Sequence, residues 1–383
     1  MTSADAFCRA NTDWLLDFVE ELAALESPTD DKGAVDRCGH RLAERLNDLG
    51  AVVSCTSTSG VGDQLMATFG SGSRQILLLG HFDTVWPVGQ LERMPIRREH
   101  GRLHGPGVYD MKAGIGVATL ATRAVLCRRR LDGTRLVMLW TTDEEAGSQS
   151  SRALIEAQAK KSDAVLVFEP ALHDGGLKTS RKGCGQYELI AHGISAHAGV
   201  DPRKGVSAIR EIARQILALE TLQDLDRGIS VNVGIVLGGS RPNVVAEEAR
   251  VTIDVRVPTK KDADRFNRAM HALAPQIPGA RLTVTGGFER PPMERTAGVA
   301  QLFAIARSVA DELEMPLTEG STGGGSDGNF TAALGVPTLD GLGAVGDGAH
   351  ALHEHVVMEA LAPKAALVAG IIERLLQQDS HGA

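Results

Sequence analysis

The sequence lacks several features that would assign it to a class at once. Its five cysteines are odd in number and form no CxxC pair, so neither a disulfide framework nor a cysteine zinc site is indicated. Aromatic residues make up only 4% of the 383 residues, and no uninterrupted apolar run approaches membrane-spanning length. The formal net charge of −8 leaves no global basic field to attract phosphate backbones. We therefore expect neither nucleic acid nor a membrane as a partner.

The N-terminal stretch also lacks the pattern of a secretory signal. MTSADAFCRANTDWLLDF has no basic segment followed by an apolar stretch, and it predicts a capped amphipathic helix instead. We thus expect a cytoplasmic, reducing location. Apolar residues at 43% and charged residues at 23% are typical of a globular enzyme, and the chain is long enough for two domains.

Two patterns of helices and strands divide the chain. From residue 1 to about 180, helical segments alternate with the continuous apolar runs QILLLG, RLVMLWT and AVLVFE, which predict buried strands of a mostly parallel α/β sheet. From 181 to 293 the order becomes βαββαβ, the ferredoxin-like split motif, which can fold by itself. We predict an inserted domain at 181–293 and a first domain made of residues 1–180 and 294–383.

Each of the three apolar runs is followed by side chains that can bind metal or transfer protons. The first reaches His81 and Asp83, the second reaches Glu144 and Glu145, and the third reaches Glu169. Ligands of open α/β sheets bind at the carboxyl ends of the strands, so these groups are expected to converge. A single glutamate in such a place would be interpreted as a solvated loop residue, but three strands ending in the same way indicate a site.

Two further segments carry candidate ligands. Asp110 follows a glycine-proline turn in HGPGVYDMKAG, where it is either another ligand or a helix N-cap. GDGAHALHEHVV places His350, His353 and His355 on a glycine-flanked loop. Carboxylates gathered in one cleft would repel one another unless cations were bound, and a mixed set of nitrogen and oxygen ligands suits zinc, manganese or cobalt. HExxH is absent, which excludes the usual single-zinc helix of metalloproteases.

These segments together resemble the di-zinc exopeptidases and deacylases that include aminoacylase, acetylornithine deacetylase, succinyl-diaminopimelate desuccinylase and carboxypeptidase G. The resemblance runs in order over nearly the whole chain and rests on GHFDTV, GVYDMKAG, TTDEEAGS, FEP, GISAHAGVDPRKGVSAI and GGGSDGNFTAALGVPTLDGLG. The last motif is most similar to the carboxypeptidase G branch. The implied fold is an α/β catalytic domain of di-zinc exopeptidase type with an inserted dimerisation or lid domain.

The resemblance also implies a two-metal site, with zinc as the expected ion and cobalt or manganese as alternatives. Asp110 would bridge the two ions. His81 and Glu169 would complete the shell of one ion, and Glu145 and His350 that of the other. His350 is preferred because the family's last ligand is followed four residues later by a glutamate, here Glu354, and His353 is the alternative.

The acids beside the ligands receive roles in the same way. Glu144 matches the general base, which takes a proton from water and later delivers it to the leaving amine. Asp83 matches the residue that fixes the imidazole of His81 through its other nitrogen, although a turn-capping role would also explain it. No role is assigned to Asp143.

The resemblance identifies three candidates in the inserted domain and a fourth, Gly324, in the segment that follows it. His197, in SAHAG, matches a histidine that reaches the partner subunit's active site, which implies a homodimer; from spacing alone it would be a surface histidine. Asn243 and Arg256 resemble residues that hold a substrate carboxylate, which suits the planar guanidinium, although Arg256 could equally be an exposed strand residue. Gly324 resembles a backbone position lining the substrate pocket.

The function predicted from these residues is metal-dependent hydrolysis of an amide bond that releases a C-terminal amino acid of glutamate type. The substrate would be a small N-acyl amino acid, a folate-like molecule or a short peptide. An N-acyl amino acid deacylase, of aminoacylase or acetylornithine deacetylase type, is the alternative enzyme. A binding protein without catalysis is the alternative of another class, and the presence of all five ligands together with the base disfavours it.

Overall fold

The computed structural model describes residues 3–377. The chain divides into two compact units. Unit 1 comprises Met1–Thr179, Arg295–Ser321 and Ser326–Ala383, and unit 2 comprises Ser180–Glu294 and Thr322–Gly325. The sequence had predicted an inserted domain at 181–293. The return of Thr322–Gly325 to unit 2 was not predicted, because a four-residue segment leaves no periodic pattern in the sequence.

The helices and strands of residues 3–377 are numbered in chain order. The helices are α1 (Ser3–Ala10), α2 (Thr12–Ala24), α3 (Lys32–Asp48), α4 (Ala113–Leu126), α5 (Arg152–Ala159), α6 (Ala208–Glu220), α7 (Lys260–His271), α8 (Ala297–Glu312), α9 (Gly328–Ala333) and α10 (Met358–Gln377). The strands are β1 (Val52–Thr56), β2 (Gln64–Gly70), β3 (Arg74–His81), β4 (Arg97–Glu99), β5 (Arg102–His104), β6 (Thr134–Thr141), β7 (Ala164–Val167), β8 (Leu177–Arg181), β9 (Gly183–His192), β10 (Ser230–Gly238), β11 (Glu248–Val257), β12 (Arg281–Arg290), β13 (Glu319–Thr322), β14 (Thr338–Leu339), β15 (Gly346–Asp347) and β16 (His355–Val357).

The main sheet of unit 1 has the strand order β1-β2-β6-β3-β7-β14. The pairs β6–β3, β3–β7 and β7–β14 are parallel, whereas β1–β2 and β2–β6 are antiparallel. The sheet is therefore mixed, and its parallel part contains the three apolar runs. Those three strands are almost wholly buried, because helices cover both faces of the sheet. The predicted α/β fold class is confirmed.

The two faces of the main sheet bury alternate residues of each strand. Leu78, Met138 and Leu166 pack into the cluster that contains α2, α4 and α10, and their neighbours Leu77 and Val137 pack on the other side against α5 and α9. Helix α4 is buried nearly all round, since it lies between the sheet and neighbouring helices. This packing fixes the carboxyl ends of the parallel strands at one edge of the sheet.

A second sheet of unit 1 supports the histidine loop. Its strand order is β15-β16-β5-β4, and all its pairs are antiparallel. The loop that contains His350 and His353 connects β15 to β16, so the backbone on both sides of the loop is held by strand pairing.

Unit 2 has the predicted βαββαβ order, formed by β9, α6, β10, β11, α7 and β12. Its antiparallel sheet has the order β10-β11-β9-β12, as in ferredoxin-like folds. Apolar residues of α6, α7 and the sheet form a core of their own. Among residues 3–377, no helix is both long and apolar enough to cross a membrane.

Candidate metal centre

The parallel strands place their polar residues at one edge of the main sheet. His81 is the last residue of β3, and Asp83 follows it. Glu144 and Glu145 follow the end of β6, and Glu169 follows the end of β7. Because these strands are parallel neighbours, their carboxyl ends lie side by side, as the sequence predicted.

Two glycines allow the segment that contains Asp110 to approach this edge. A side chain at Gly114, at the start of α4, would come within 2.1 Å of the carbonyl oxygen of Phe168. A side chain at Gly80 would come within 2.3 Å of Met111 Cε. A larger residue at Gly114 would require the backbone to move, which explains glycine there, whereas one at Gly80 would require the side chain of Met111 to move. The turn Val108–Lys112 is irregular, and its peptide bond between Asp110 and Met111 is cis.

Two groups of three possible ligands share one carboxylate. In the first, His81 Nε2 lies 3.4 Å from Asp110 Oδ1 and 3.5 Å from Glu169 Oε1. In the second, His350 Nε2 lies 3.5 Å from Asp110 Oδ2 and 3.1 Å from Glu145 Oε2. Each oxygen of Asp110 thus faces a different histidine, which is the arrangement a bridging carboxylate requires. We call His81, Asp110, Glu145, Glu169 and His350 the ligand cluster.

The ligand cluster fits divalent cations by its chemistry as well as its spacing. Within each group of three, the ligand atoms lie within 4.8 Å of one another. His81 Nε2, Asp110 Oδ1 and Glu145 Oε1 are buried without a hydrogen-bond partner. Buried polar atoms are seldom left in this way, so these three require a partner such as a cation. Imidazole nitrogens with carboxylate oxygens suit zinc, and also manganese or cobalt.

The orientation of His81 favours ligation through Nε2. Its Nδ1 lies 3.0 Å from the carbonyl oxygen of Asp83 and 3.3 Å from the Oδ1 atom of the same residue. Since these neighbours accept hydrogen bonds, we assign the ring proton to Nδ1, which leaves the lone pair of Nε2 facing the ligand cluster. Both side chains are fully buried, so the ring is held firmly.

The titration of the cluster follows from its mixture of acids and histidines. Burial alone would raise the pKa of Asp110, but His350 and His81 outweigh burial and lower that pKa below its usual range. The carboxylates of Asp110 and Glu145 raise the pKa of His350 to about 10. Burial raises the pKa of Glu145. Cation binding would displace the protons that these groups retain, because ligation requires a neutral imidazole and an ionised carboxylate.

Glu144 lies beside the ligand cluster on the loop after β6. Its Oε2 atom is 4.0 Å from His81 Nε2, and its side chain is 12% exposed. The backbone N–H groups of Glu144 and Glu145 donate to the two oxygens of Asp83, over 3.4 and 3.2 Å. Thr29 Oγ1 also donates to Asp83, over 2.7 Å. Asp83 therefore contacts His81 and also holds the loop of Glu144.

Asp143, for which the sequence suggested no role, is a structural residue. Its Oδ2 atom accepts hydrogen bonds from the backbone N–H and the hydroxyl group of Ser150, each over 2.7 Å. Its carbonyl oxygen accepts the N–H of Ser148 over 2.7 Å. These bonds close the turn that contains Glu144 and Glu145, and α5 begins only at Arg152. The three consecutive acids thus have three different environments.

The structure separates the two histidines that the sequence left as alternatives. His350 lies within the ligand cluster, whereas the side chain of His353 is 67% exposed and its nearest carboxylate is Asp347, at 3.9 Å. His355 is buried in β16 opposite His104 of β5. The geometry therefore supports His350 as the ligand.

Sequence analysis missed two buried acids near these loops. Glu354 lies four residues after His350 and accepts four N–H groups around the Asp110 turn. Burial raises the pKa of Glu354, and these donors offset part of that rise. Asp327 accepts hydrogen bonds from the hydroxyl groups of Thr141 and Ser148, at the two ends of the Glu144 loop. Asp327 lies in the motif GGGSDG, but no spacing in the sequence connects this motif to the Glu144 loop.

The other four predicted site residues belong to unit 2. His197 and Asn243 lie on adjacent loops, because the N–H of Ala198 donates to the carbonyl oxygen of Asn243 over 3.0 Å. Both side chains are exposed. The His197 ring accepts the N–H groups of Gly199 and Val200 at Nδ1, which leaves Nε2 exposed for another partner.

Arg256 and Gly324 have local partners within unit 2. The guanidinium of Arg256 donates to both oxygens of Asp254, over 2.9 and 2.8 Å, and its Nη1 contacts the thiol of Cys184. One bidentate face of Arg256 is therefore already in use. The carbonyl oxygen of Gly324 accepts Nη1 of Arg181 over 3.2 Å. Another arginine, the buried Arg290, lies beside Gly325. Neither Arg181 nor Arg290 was predicted from the sequence as a site residue.

The two groups that share Asp110 could each hold a divalent cation, and comparison with known proteins identifies the class of protein. The model of the peptidase family M20/M25/M40 matches residues 77–374. Carboxypeptidase G2 from Pseudomonas sp. (strain RS-16) is 31% identical over 339 residues, which cover 87% of this chain and 82% of that protein. The chain therefore belongs to the peptidase family M20/M25/M40. It is a metal-dependent hydrolase of the metallopeptidase and amidohydrolase class, as the sequence predicted.

Other relatives differ in activity while sharing the architecture. A succinyl-diaminopimelate desuccinylase from Xanthomonas oryzae pv. oryzae is 29% identical over 383 residues, covering 94% of this chain and 99% of that protein. The crystal structure of aminopeptidase PepT from Bacillus cereus has a TM-score of 0.76 at 23% identity and covers 95% of this chain and 99% of that one. The second likeness bears on the fold alone. Family membership thus leaves the substrate open.

Proposed function

We propose that this protein is a carboxypeptidase of glutamate type, which hydrolyses an amide bond and releases an amino acid with a free carboxylate. The observation that carries the proposal is the pair of ligand groups that share Asp110, with Glu144 beside them. His81, Asp110 and Glu169 would hold one cation, and Asp110, Glu145 and His350 the other. Zinc is the proposed ion, with cobalt or manganese as alternatives.

When bound, two cations would lower the pKa of a water molecule and polarise a carbonyl group. Glu144 then acts on the proton of that water. Its carboxylate accepts the proton as the water oxygen bonds to the amide carbon, and it donates the proton to the nitrogen as the C–N bond breaks. Asp83 keeps the backbone of Glu144 in place and orients His81. The partly buried position of Glu144 suits a group that must reach substrate and be shielded from solvent.

The preference for glutamate rests on likeness and on the arginines of unit 2. Carboxypeptidase G2 is a relative whose name states a carboxypeptidase activity. We propose that Arg256 and Asn243 bind the carboxylate of the leaving amino acid and that the backbone at Gly324 lines the pocket. Because Asp254 occupies one face of the Arg256 guanidinium, the substrate carboxylate would bind at Nη1, in place of the contact with the Cys184 thiol.

A second candidate is an N-acyl amino acid deacylase or deacetylase, which the desuccinylase relative favours. A panel of zinc-loaded reactions separates the two, with N-acyl glutamates that differ in the acyl group and N-benzoyl amino acids that differ in the leaving residue. The carboxypeptidase proposal expects strong dependence on the leaving amino acid and loss of turnover when its carboxylate is amidated. Turnover that depends on the acyl group and ignores the amidated carboxylate would favour the deacylase.

We also propose a homodimer formed through unit 2. Strand β10 lies at the edge of its sheet, and the exposed fractions of Ile235, Val236 and Leu237 are 53%, 55% and 59%. An exposed apolar edge strand readily pairs with another chain. Analytical ultracentrifugation should therefore find a dimer, and Val236→Lys should produce monomers with an unchanged circular dichroism spectrum. A monomeric wild-type protein would contradict this proposal.

In such a dimer, we propose that His197 acts at the active site of the partner subunit. Refolding a mixture of two inactive variants, His197→Ala and Glu144→Gln, tests this role. If His197 acts across the dimer, mixed dimers contain one site with both groups intact, and activity returns. If His197 acts within its own subunit, every site lacks one group and the mixture remains inactive.

We further propose a cytoplasmic location. The support is that all five cysteines lie within the described residues and none forms a disulfide, as expected in a reducing compartment. Cell fractionation followed by alkylation of free thiols would test it, and recovery of the protein only from an extracytoplasmic fraction would contradict it.

A further inference from the structure

Glu354 is a buried carboxylate whose polar partners surround the backbone of Asp110. Its Oε1 atom accepts the N–H groups of Tyr109 and Asp110 over 2.9 and 3.1 Å. Its Oε2 atom accepts the N–H group of Gly107 over 3.0 Å and Nε1 of Trp86 over 2.8 Å. The residue is only 1% exposed, so these bonds are sheltered from solvent.

The set of partners requires a carboxylate. All four groups are donors, and the two oxygens of a carboxylate can accept two hydrogen bonds each. A glutamine of the same shape has one oxygen, and its NH₂ group would face two N–H donors. Gln in this place would therefore leave donors unsatisfied next to Asp110, although its volume is the same.

Glu354 also ends the loop that contains His350. The N–H of Glu354 donates to the carbonyl oxygen of Ala351 over 3.0 Å, and the N–H of Ala351 donates to that of Gly348 over 2.9 Å. His350 itself has a positive φ of 60°, a conformation that the surrounding contacts must maintain. One side chain thus connects the loop of His350 to the turn of Asp110.

We propose that Glu354 is a positioning residue for the second cation, the one expected between Asp110, Glu145 and His350. It would set the separation of Asp110 and His350, whose side chains are 3.5 Å apart, without contacting the ion. The proposal rests on the proposed two-metal function. Residues that orient metal ligands typically change metal affinity by about 10- to 100-fold when they are replaced.

Unit 2 contains a matched control for a role in folding alone. Glu211 is also fully buried, and its carboxylate accepts the N–H groups of Gln276 and Ile277 together with Nε2 of Gln215. It connects α6 to the segment after α7, within a unit that contains no member of the ligand cluster. Glu211→Gln therefore causes the same chemical change in an equivalent hydrogen-bonded setting.

The experiment measures zinc binding directly. Wild-type protein, Glu354→Gln and Glu211→Gln are stripped with a chelator and titrated with zinc by calorimetry, and thermal unfolding of the metal-free forms is recorded. We expect Glu354→Gln to raise the Kd of one of two zinc sites about 10- to 100-fold. Glu211→Gln should lower the unfolding temperature and leave both Kd values within about threefold of wild type, since it alters no residue near a metal ligand.

Two zinc sites of wild-type affinity in Glu354→Gln would overturn the proposal, as would an equal loss of zinc affinity in Glu211→Gln. If Glu354→Gln does not fold, Trp86→Phe removes one donor and keeps the three backbone donors, and it should weaken the same site by about three- to tenfold. Unchanged zinc binding in that variant would then overturn the proposal. A wild-type protein that binds neither zinc, cobalt nor manganese would overturn the proposed two-metal function itself, which is a different result.

Discussion

The two units of this protein use polar side chains in different ways. In unit 1, buried or half-buried charged groups converge on one edge of the main sheet, and some of their atoms have no hydrogen-bond partner. In unit 2, the candidate residues His197 and Asn243 are exposed, and Arg256 is paired with Asp254. Burying a charged group costs free energy, so a buried charged residue is found where a specific partner stabilises it. An exposed polar residue costs little free energy whether or not it has a function.

The same contrast appears between the buried glutamates Glu354 and Glu211. Each accepts several backbone N–H groups and is almost fully buried. Only Glu354 lies on the loop of a candidate metal ligand. The chemical environment of a buried acid therefore does not reveal whether it supports function, and its neighbours must be considered. Variants that separately change turnover, metal affinity and substrate binding would test this difference between the two units.

The largest effect should come from Glu144→Gln in unit 1. Because an amide cannot accept the proton of water, kcat should fall by about 10²- to 10⁴-fold, the usual contribution of a general base. Zinc content and KM should remain close to wild type. Steady-state kinetics with metal analysis by mass spectrometry would measure this.

Asp143→Asn is the adjacent control for that variant. The side chain of Asp143 accepts hydrogen bonds from Ser150, and none of the hydrogen bonds described for it joins it to the ligand cluster, so Asp143→Asn should affect stability more than kcat. Wild-type turnover by Glu144→Gln would rule out the base assignment. An equal loss of turnover in both variants would indicate that only the conformation of the loop matters.

Much of unit 1 could be predicted from its sequence, for a physical reason. Strands buried on both faces appear as continuous apolar runs, and a charged residue directly after such a run has few structural explanations. His81, Glu145 and Glu169 were visible in this way. Asp110 was less certain because a helix N-cap would give the same pattern, and its assignment as a shared ligand came from family resemblance.

What escaped prediction involves contacts between distant parts of the chain. Glu354 contacts residues about 245 positions earlier, and Asp327 contacts Ser148 across 179 positions. No local pattern encodes such pairs. The pairing of Arg256 with Asp254 was missed for another reason, since residues two apart on a strand share a face but alternation alone does not identify ion pairs.

An intermediate effect should separate the two histidines of the loop between β15 and β16. His350→Ala removes a member of the second ligand group, so zinc affinity at one site should fall by at least about 100-fold. His353→Ala should leave both sites unchanged, because its side chain is exposed and outside the cluster. Calorimetric titration of the metal-free proteins measures both. Loss of zinc in His353→Ala alone would reverse the choice of ligand.

The smallest effect should come from Arg256→Ala in unit 2. A charge-assisted hydrogen bond contributes about 1.5–3 kcal/mol, so KM for substrates with a free carboxylate should rise at least about tenfold while kcat changes little. Arg250→Ala is the matched control, because Arg250 lies on the same face of β11 and pairs with Glu248. Equal KM changes for substrates with free and amidated carboxylates would show that Arg256 has a structural role. In that case, the polar residues of unit 1 would serve catalysis, Arg256 of unit 2 would serve folding, and another residue would have to bind the substrate carboxylate.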